Sequence, residues 1–206
     1  MLVDLRANRE IVVGVIADTH IPDRVNQLHP ELLSTLRQRN VDYIFHAGDV
    51  SIPGALLELR EIAPVYLVTG NRDILLRNKY TSMLTFQING VKTILTHGHL
   101  NLYQYWLDKI ENVLEGYRFK RYHDRLVRHY PDAGVYIFGH SHHAENRWEG
   151  GKLFFNPGSP SIAEYPAKQL SFGIISFHPE GRVQGEIVEL TGAVLRFGRW
   201  KTGSVV

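Results

Sequence analysis

Apolar residues in this chain fall into short runs, and the spacing between runs changes partway along it. Ile11 to Ala17, Tyr43 to Ala47, Val65 to Thr69, Thr93 to Thr96 and Val135 to Phe138 are continuous enough to read as buried strands. Between the first three, apolar positions recur at helical spacing. Leu32, Leu33 and Leu36 mark a helix over His29 to Arg39. Leu56, Leu57 and Leu59 mark another over Pro53 to Ile62, where Pro53 suits a first helical turn. That βαβαβ order predicts parallel strands with helices packed on a face. From Met83 onward the pattern is richer in strands. Met83 to Ile88 and Val91 to Thr96 flank Asn89-Gly90, a two-residue hairpin signal. Leu153–Phe155, Phe172–Phe177 and Val183–Leu190 are further β-rich runs. The pattern therefore predicts two sheets, one mixed and one more antiparallel.

About thirty-five residues, 100–134, lie between His99 and the run at Val135. Leu102, Trp106, Ile110, Val113 and Tyr117 recur at helical spacing, as do Tyr122, Leu126 and Tyr130, so two helices are expected rather than a long bare loop. The first carries Asp108, Glu111 and Glu115; the second carries Arg118, Lys120, Arg121, Arg125 and Arg128, and Pro131 closes it. The expected organisation is a single domain over residues 1–206 with a helical insert at about 101–131. Two roles stand open for the insert. It caps the functional site and uses its basic half to select an anionic substrate, or its aromatics, Tyr103, Tyr105, Trp106, Tyr117, Tyr122 and Tyr130, simply pack on the body.

Chemistry gathers at the ends of the apolar runs. In order come Asp18-Thr19-His20, Gly48-Asp49, Gly70-Asn71-Arg72-Asp73, His97-Gly98-His99 and Gly139-His140-Ser141-His142. Each alone has a bland reading: a strand-to-loop junction, a turn or helix cap, a histidine-rich surface loop. Together Asp18, His20, Asp49, Asn71, His97, His140 and His142 supply two carboxylates, one amide and four imidazoles. Parallel strands bring their C-terminal ends to one sheet edge. Collected there, these groups make a pocket for two hard-to-borderline divalent cations.

Composition narrows the setting. At 206 residues, 44% hydrophobic and 21% charged, the chain has an ordinary globular make-up and room for a substantial core. A net charge of +2 points to no particular partner. The absence of cysteine excludes disulfides and thiolate zinc sites and fits a reducing compartment. The N-terminal MLVDLRANRE lacks the apolar stretch of a signal peptide, and no run approaches the roughly 20 residues of a membrane span. A cytoplasmic protein without membrane attachment is expected.

The ordered series DTH, GD, GNRD, HGH and GHSH, followed by Asn156-Pro157-Gly158-Ser159, resembles the calcineurin-like metallophosphoesterase superfamily, in particular its small single-domain bacterial and archaeal phosphodiesterase branch. The resemblance runs from about Ile11 to Phe177. It implies an α/β fold, a four-layer α/β/β/α sandwich of two mixed sheets flanked by helices. It also implies two divalent metal ions, manganese favoured and iron, cobalt, nickel or zinc compatible. One ion would be held by Asp18, His20, Asp49 and His142, the other by Asp49, Asn71, His97 and His140, with Asp49 shared. The activity implied is phosphoester hydrolysis by in-line attack of a metal-bridging hydroxide, with a phosphodiester substrate favoured.

One position departs from the family. Many relatives have histidine after the asparagine, where this chain has Arg72. An arginine cannot act as a general acid near neutrality, but it can clamp a phosphate oxygen. His99 is then the leading candidate for proton donor, and Asp73 is expected to orient a neighbouring ligand. Asn156 to Ser159 is expected to support the metal edge, His46 to be buried beside the ligands and His143 to be exposed. A phosphomonoesterase or a nuclease on the same site remains an alternative; nucleic acid is not favoured, because acidic residues lie among the cations. The remaining alternative is a metal-binding scaffold with little activity, as in the retromer subunit that resembles this family. Seven filled ligand positions argue against it.

Overall fold

The continuous apolar runs become strands because both of their faces are covered. In the computed structural model, residues 2–98, 115–162 and 169–202 are described. The chain runs β1 (Leu2–Leu5), β2 (Ile11–Ile16), α1 (Pro30–Gln38), β3 (Tyr43–His46), α2 (Leu57–Arg60), β4 (Val65–Leu67), β5 (Met83–Ile88) and β6 (Val91–Thr96). After α3 (Phe119–His129) come β7 (Val135–Ile137), β8 (Glu145–Glu149), β9 (Lys152–Asn156), β10 (Leu170–Phe177) and β11 (Val183–Leu190). A hairpin, β12 (Ala193–Arg196) and β13 (Arg199–Thr202), ends the described chain. Short 3-10 turns at Pro53–Leu56 and Ile74–Leu76 lead into α2 and follow β4. The first of these replaces half of the helix expected over 53–62.

Two sheets result, in the orders β11-β10-β2-β3-β4 and β1-β5-β6-β7-β9-β8. Both are mixed. The second is not the more antiparallel sheet that the hairpin suggested, since β1–β5, β6–β7 and β7–β9 pair in parallel. The hairpin itself is as expected. Asn89 and Gly90 both take left-handed backbone, φ 43° and 83°, and Ile88 pairs with Val91.

The sheets face each other across one apolar layer. Val13, Val15, Phe45 and Ala47 from the first meet Leu84, Phe86, Leu95, Ile137 and Phe155 from the second. Phe45 stacks on Phe86 with ring centroids 4.3 Å apart, joining β3 to β5 across the gap. Outside the first sheet, Leu32, Leu36, Leu56 and Leu59 of α1, α2 and the turn before it cover Ile16, Ile44 and Phe172. Outside the second, Phe119, Tyr122 and Leu126 of α3 cover Ile94, Phe138 and Phe154. The layers are thus α/β/β/α. Among the described residues, no helix is long and apolar enough to cross a membrane.

Three elements escaped the hydrophobic pattern. β1 and the edge strand β8, ENRWE, bury too little for periodicity to show. The terminal hairpin lies over the loop before α1: Asn26 N–H donates to Gly198 O (2.8 Å), Trp200 Nε1 donates to Gln27 O (3.0 Å), and Glu31 accepts the Thr191 and Gly192 N–H groups. Trp200 also packs edge-on against His29, with centroids 4.5 Å apart. Of the insert, the predicted first helix falls largely outside the described residues. The second is α3, and its aromatics lie on the sheet. Its cations are engaged nearby: Lys120 with Asp124, Arg121 and Arg118 with Glu115, and buried Arg125 donating to Gly98 O (2.9 Å). Replacing Phe86 with Ala opens the layer between the sheets and is expected to cost about 3–5 kcal/mol in urea unfolding. A loss below about 1 kcal/mol would show that the Phe45–Phe86 stack contributes no tight packing.

Candidate metal centre

The five motifs arrive from both sheets, not from one edge. Asp18, Asp49 and Asn71 follow β2, β3 and β4, while His97 and His140 follow β6 and β7. The C-terminal ends of these parallel strands face one another across the sandwich, so the loops converge. To turn inward there, the backbone leaves its ordinary range. Asp18, His20, Asp49, His140 and His142 all take left-handed φ, between 49° and 72°. Five of the nine described non-glycine residues with positive φ are therefore in this one cluster. Asp and His tolerate that region better than most residues, yet each instance costs on the order of 1–3 kcal/mol and persists only where surroundings over-determine it.

The surroundings do so through a dense set of bonds. Asp73, fully buried, accepts the N–H groups of Asp49 (2.8 Å) and Gly70 (2.8 Å) on one oxygen and of Ser51 (2.7 Å) on the other. Asp18 N–H donates to Gly48 O and His20 N–H to Asp49 O, lacing the first two loops together. His140 N–H donates to Asp18 Oδ2 at 2.9 Å, which turns Asp18 Oδ1 inward. Asn156 Nδ2 donates to Gly139 O and to the Ser141 hydroxyl, and the Ser159 hydroxyl donates to Asp18 O. Asn156 to Ser159 thus support the edge as the sequence suggested. Gly70 and Gly139 are required by close approach. A Cβ on Gly70 would collide with the Asp49 carboxylate, and one on Gly139 would sit 2.8 Å from Asp18 Oδ2.

Inside this frame, nitrogen and oxygen atoms able to ligate a cation face one another. His97 Nδ1 donates to the Ala47 carbonyl at 2.7 Å, because that oxygen can only accept. With Nδ1 so engaged, Nε2 is left pointing into the cluster, 3.1 Å from Asn71 Oδ1 and 3.6 Å from Asp49 Oδ1. His140 Nδ1 also lies 3.1 Å from Asn71 Oδ1. On the other side, Asp18 Oδ1 is buried with no hydrogen bond to it. It faces His142 Nε2 at 3.4 Å and His20 Nε2 at 3.8 Å, and those two nitrogens are 3.3 Å apart. His20 Nε2 is 3.9 Å from Asp49 Oδ2. Two donors on one ion at about 2.1 Å stand about 3.0–3.5 Å apart, close to these separations. Asp18, His20 and His142, and separately Asp18, Asp49 and His97, are each grouped tightly enough to hold a cation. The donor set fits a divalent metal.

Electrostatics point the same way. Burial pushes the Asp18 carboxyl up, but the His142, His97 and His20 imidazoles outweigh it and hold the carboxyl below the ordinary range. Burial raises the Asp49 carboxyl, with His97 opposing. Burial lowers His20 to about 4 against the pull of Asp18, and lowers His46 to about 4 against Asp73 and Asp18. Outside the centre, burial also lowers His29. His46 is not among the converging nitrogens. It accepts from Gly48 N–H and donates to the Thr19 hydroxyl, holding both loops.

All seven sequence-predicted ligand residues lie in this cluster. Arg72 lies at its rim, 42% exposed at the side chain, with its N–H on Asp49 Oδ1. His99 lies outside the described residues. His143 is not exposed as expected: Tyr117 stacks on it at 4.3 Å, because the insert returns over the GHSH loop. Asp23, which meets the Arg72 guanidinium, was not found from sequence, since a loop aspartate outside any motif gives no signal.

The sequence profile of the "Calcineurin-like phosphoesterase superfamily domain" matches residues 11–179. The chain belongs to that superfamily. A "Probable metallophosphoesterase" of Methanothermobacter thermautotrophicus is 30% identical over 155 residues, 74% of this chain and 78% of the relative. Among solved structures, vacuolar protein sorting 29 of Cryptosporidium parvum superposes with TM-score 0.68 at 22% identity, covering 95% of this chain and 96% of that one. A structure described as a novel archaeal phosphodiesterase superposes with TM-score 0.58 at 18% identity, covering 86% and 100%. The two superpositions establish the shared fold, and superfamily membership supports a metal-dependent phosphoesterase.

Two tests address the frame. Asp73→Asn leaves buried N–H groups facing an amide and is expected to cost about 1–3 kcal/mol in metal-free unfolding. The same variant should weaken manganese binding about tenfold to a hundredfold. Unchanged stability and affinity would remove Asp73 from its bracing role. The second test is pH. Unfolded imidazoles protonate near 6.5, whereas buried His20, His46 and His29 resist. In that window the unfolded chain binds more protons, so stability rises with pH. Asp49, raised in the fold, works in the opposite sense, but three imidazoles outweigh one carboxyl. Unfolding in EDTA should therefore need progressively less urea between pH 6.5 and about 4, and a flat profile would contradict these buried neutral rings.

Proposed function

We propose that this protein is a dinuclear-metal-dependent phosphodiesterase. Asp18, His20, Asp49 and His142 would hold one ion, and Asp49, Asn71, His97 and His140 the other. The observation that carries this reading is the position of Asp49: Oδ2 faces His20 and Oδ1 faces His97, so a single carboxylate reaches both donor groups. When bound, two divalent ions supply Lewis-acid polarisation of a phosphate ester and a nucleophile at neutral pH. Asp18 and Asp49 return two negative charges against four positive ones, and neutral Asn71 adds none, so an anionic ester is attracted. Nitrogen and oxygen donors without sulfur are compatible with manganese, iron, cobalt, nickel or zinc, and availability decides among them, with manganese the favoured candidate.

The remaining residues bind and orient. Arg72, at the rim, clamps a phosphate oxygen and takes no part in proton transfer. His99 is the candidate proton donor to the leaving group. With arginine at position 72, esters whose leaving groups need little protonation are the better substrates. The superposed archaeal phosphodiesterase lends support to the diester class over monoesters. A nucleic-acid substrate is less favoured, because Arg118, Lys120, Arg121 and Arg125 of the insert are engaged by neighbouring acids or a carbonyl.

Purified protein with manganese should hydrolyse bis(p-nitrophenyl) phosphate, and either EDTA or Asp49→Ala should reduce the rate to background. Arg72→Ala should raise KM about tenfold while changing kcat much less. A second reading is a metal-binding scaffold, which draws on the fold shared with vacuolar protein sorting 29. A folded, manganese-binding protein inert toward diesters, monoesters and oligonucleotides would establish it and sink the first reading.

A further inference from the structure

The Arg72 guanidinium does not stand alone at the rim. Its Nη1 lies 3.3 Å from Asp23 Oδ2, and the Ser51 hydroxyl donates to that same oxygen at 3.3 Å. Three loops meet in this contact, each just past a residue of the cluster: Asp23 after His20, Ser51 after Asp49, and Arg72 after Asn71. Backbone bonds fix all three. Ile21 N–H donates to Val50 O, Ser51 N–H to Asp73 Oδ1, and Arg72 N–H to Asp49 Oδ1. The side chains of Arg72 and Asp23 are 42% and 41% exposed, so the pair faces solvent rather than the core, and Arg72 is near enough to His20 to disfavour its charged form.

The consequence is one of charge. A phosphomonoester dianion and a phosphodiester monoanion differ by one negative charge. An unopposed Arg72 would add a positive charge at the rim and favour the dianion. Asp23 returns that charge and occupies a guanidinium nitrogen that would otherwise be open to a terminal phosphate oxygen.

We propose that Asp23 is a specificity-determining positioning residue, which holds Arg72 and neutralises the rim so that monoanionic diesters are preferred over dianionic monoesters. The proposal rests on the phosphoesterase reading above. Because the pair is partly exposed, its effect is screened and modest, about threefold to tenfold per unit charge on the ligand.

The test uses the manganese-loaded full chain as wild type, Asp23→Asn and Asp23→Glu. Steady-state rates are measured on p-nitrophenyl phosphate and bis(p-nitrophenyl) phosphate, and calorimetric binding on inorganic phosphate and dimethyl phosphate. In Asp23→Asn, the monoester-to-diester ratio of kcat/KM should rise about threefold to tenfold, through KM and with kcat on the diester changed little. Inorganic phosphate should bind tighter by a similar factor while dimethyl phosphate is affected less. The shift should shrink in about 1 M salt, and Asp23→Glu should return toward the wild-type ratio. An unchanged ratio with unchanged phosphate affinity overturns the proposal, as does an equal loss on both esters, which marks a merely structural aspartate. If the wild type cleaves neither ester, the phosphodiesterase reading fails by itself, and the two binding affinities alone decide the role of Asp23.

Discussion

The carboxylate of Asp73 accepts three backbone N–H bonds from two different loops while fully buried, and the cluster beside it depends on that arrangement. It fixes where Asp49 begins its left-handed turn and where Gly70 releases the chain toward Asn71. A carboxyl group whose oxygens accept from three donors is a rigid tie, because a buried acceptor has no water to exchange them for. Asp49 can then aim one oxygen at each half of the donor set.

The cluster works against the fold that holds it. Five residues carry left-handed backbone, and imidazole, amide and carboxylate groups crowd together at 3–4 Å in a buried space. A protein of ordinary stability has about 5–15 kcal/mol in hand, so such a group must be offset elsewhere. The offset lies in the layer between the sheets, with its stacked Phe45 and Phe86, and in the helices on both outer faces. Placing the strained loops at the C-terminal ends of parallel strands keeps them out of the core while rigid strands aim them.

Two local supports brace the loops of the cluster. The terminal hairpin, beyond the residues matched by the family profile, pins the loop that leads from His20 to α1. α3 reaches the HGH loop through Arg125, and Tyr117, just ahead of α3, reaches the GHSH loop by stacking on His143. Arg72 and Asp23 lie on the open rim. That rim is where one member of a family can differ in ligand preference without disturbing the donors beneath.

Much of this was legible in the linear chain because strand burial and metal ligation both impose residue type. Covered strands must be apolar, so β2, β3, β6 and β7 announced themselves, and a cation demands lone-pair donors, so Asp18 through His142 could be read in order. Asn89-Gly90 marked its turn because few other residues accept that backbone. What the sequence could not reveal depended on partners remote in sequence. β8 buries little of its own surface, the terminal hairpin finds the loop it packs on only in the folded chain, and Asp23 is an ordinary loop acid until Arg72 meets it. The gathering of ligands from two opposed sheets rather than one edge was likewise settled only in three dimensions. Residue identity determines which groups can bind a cation; the packing of the two sheets determines which of them share one.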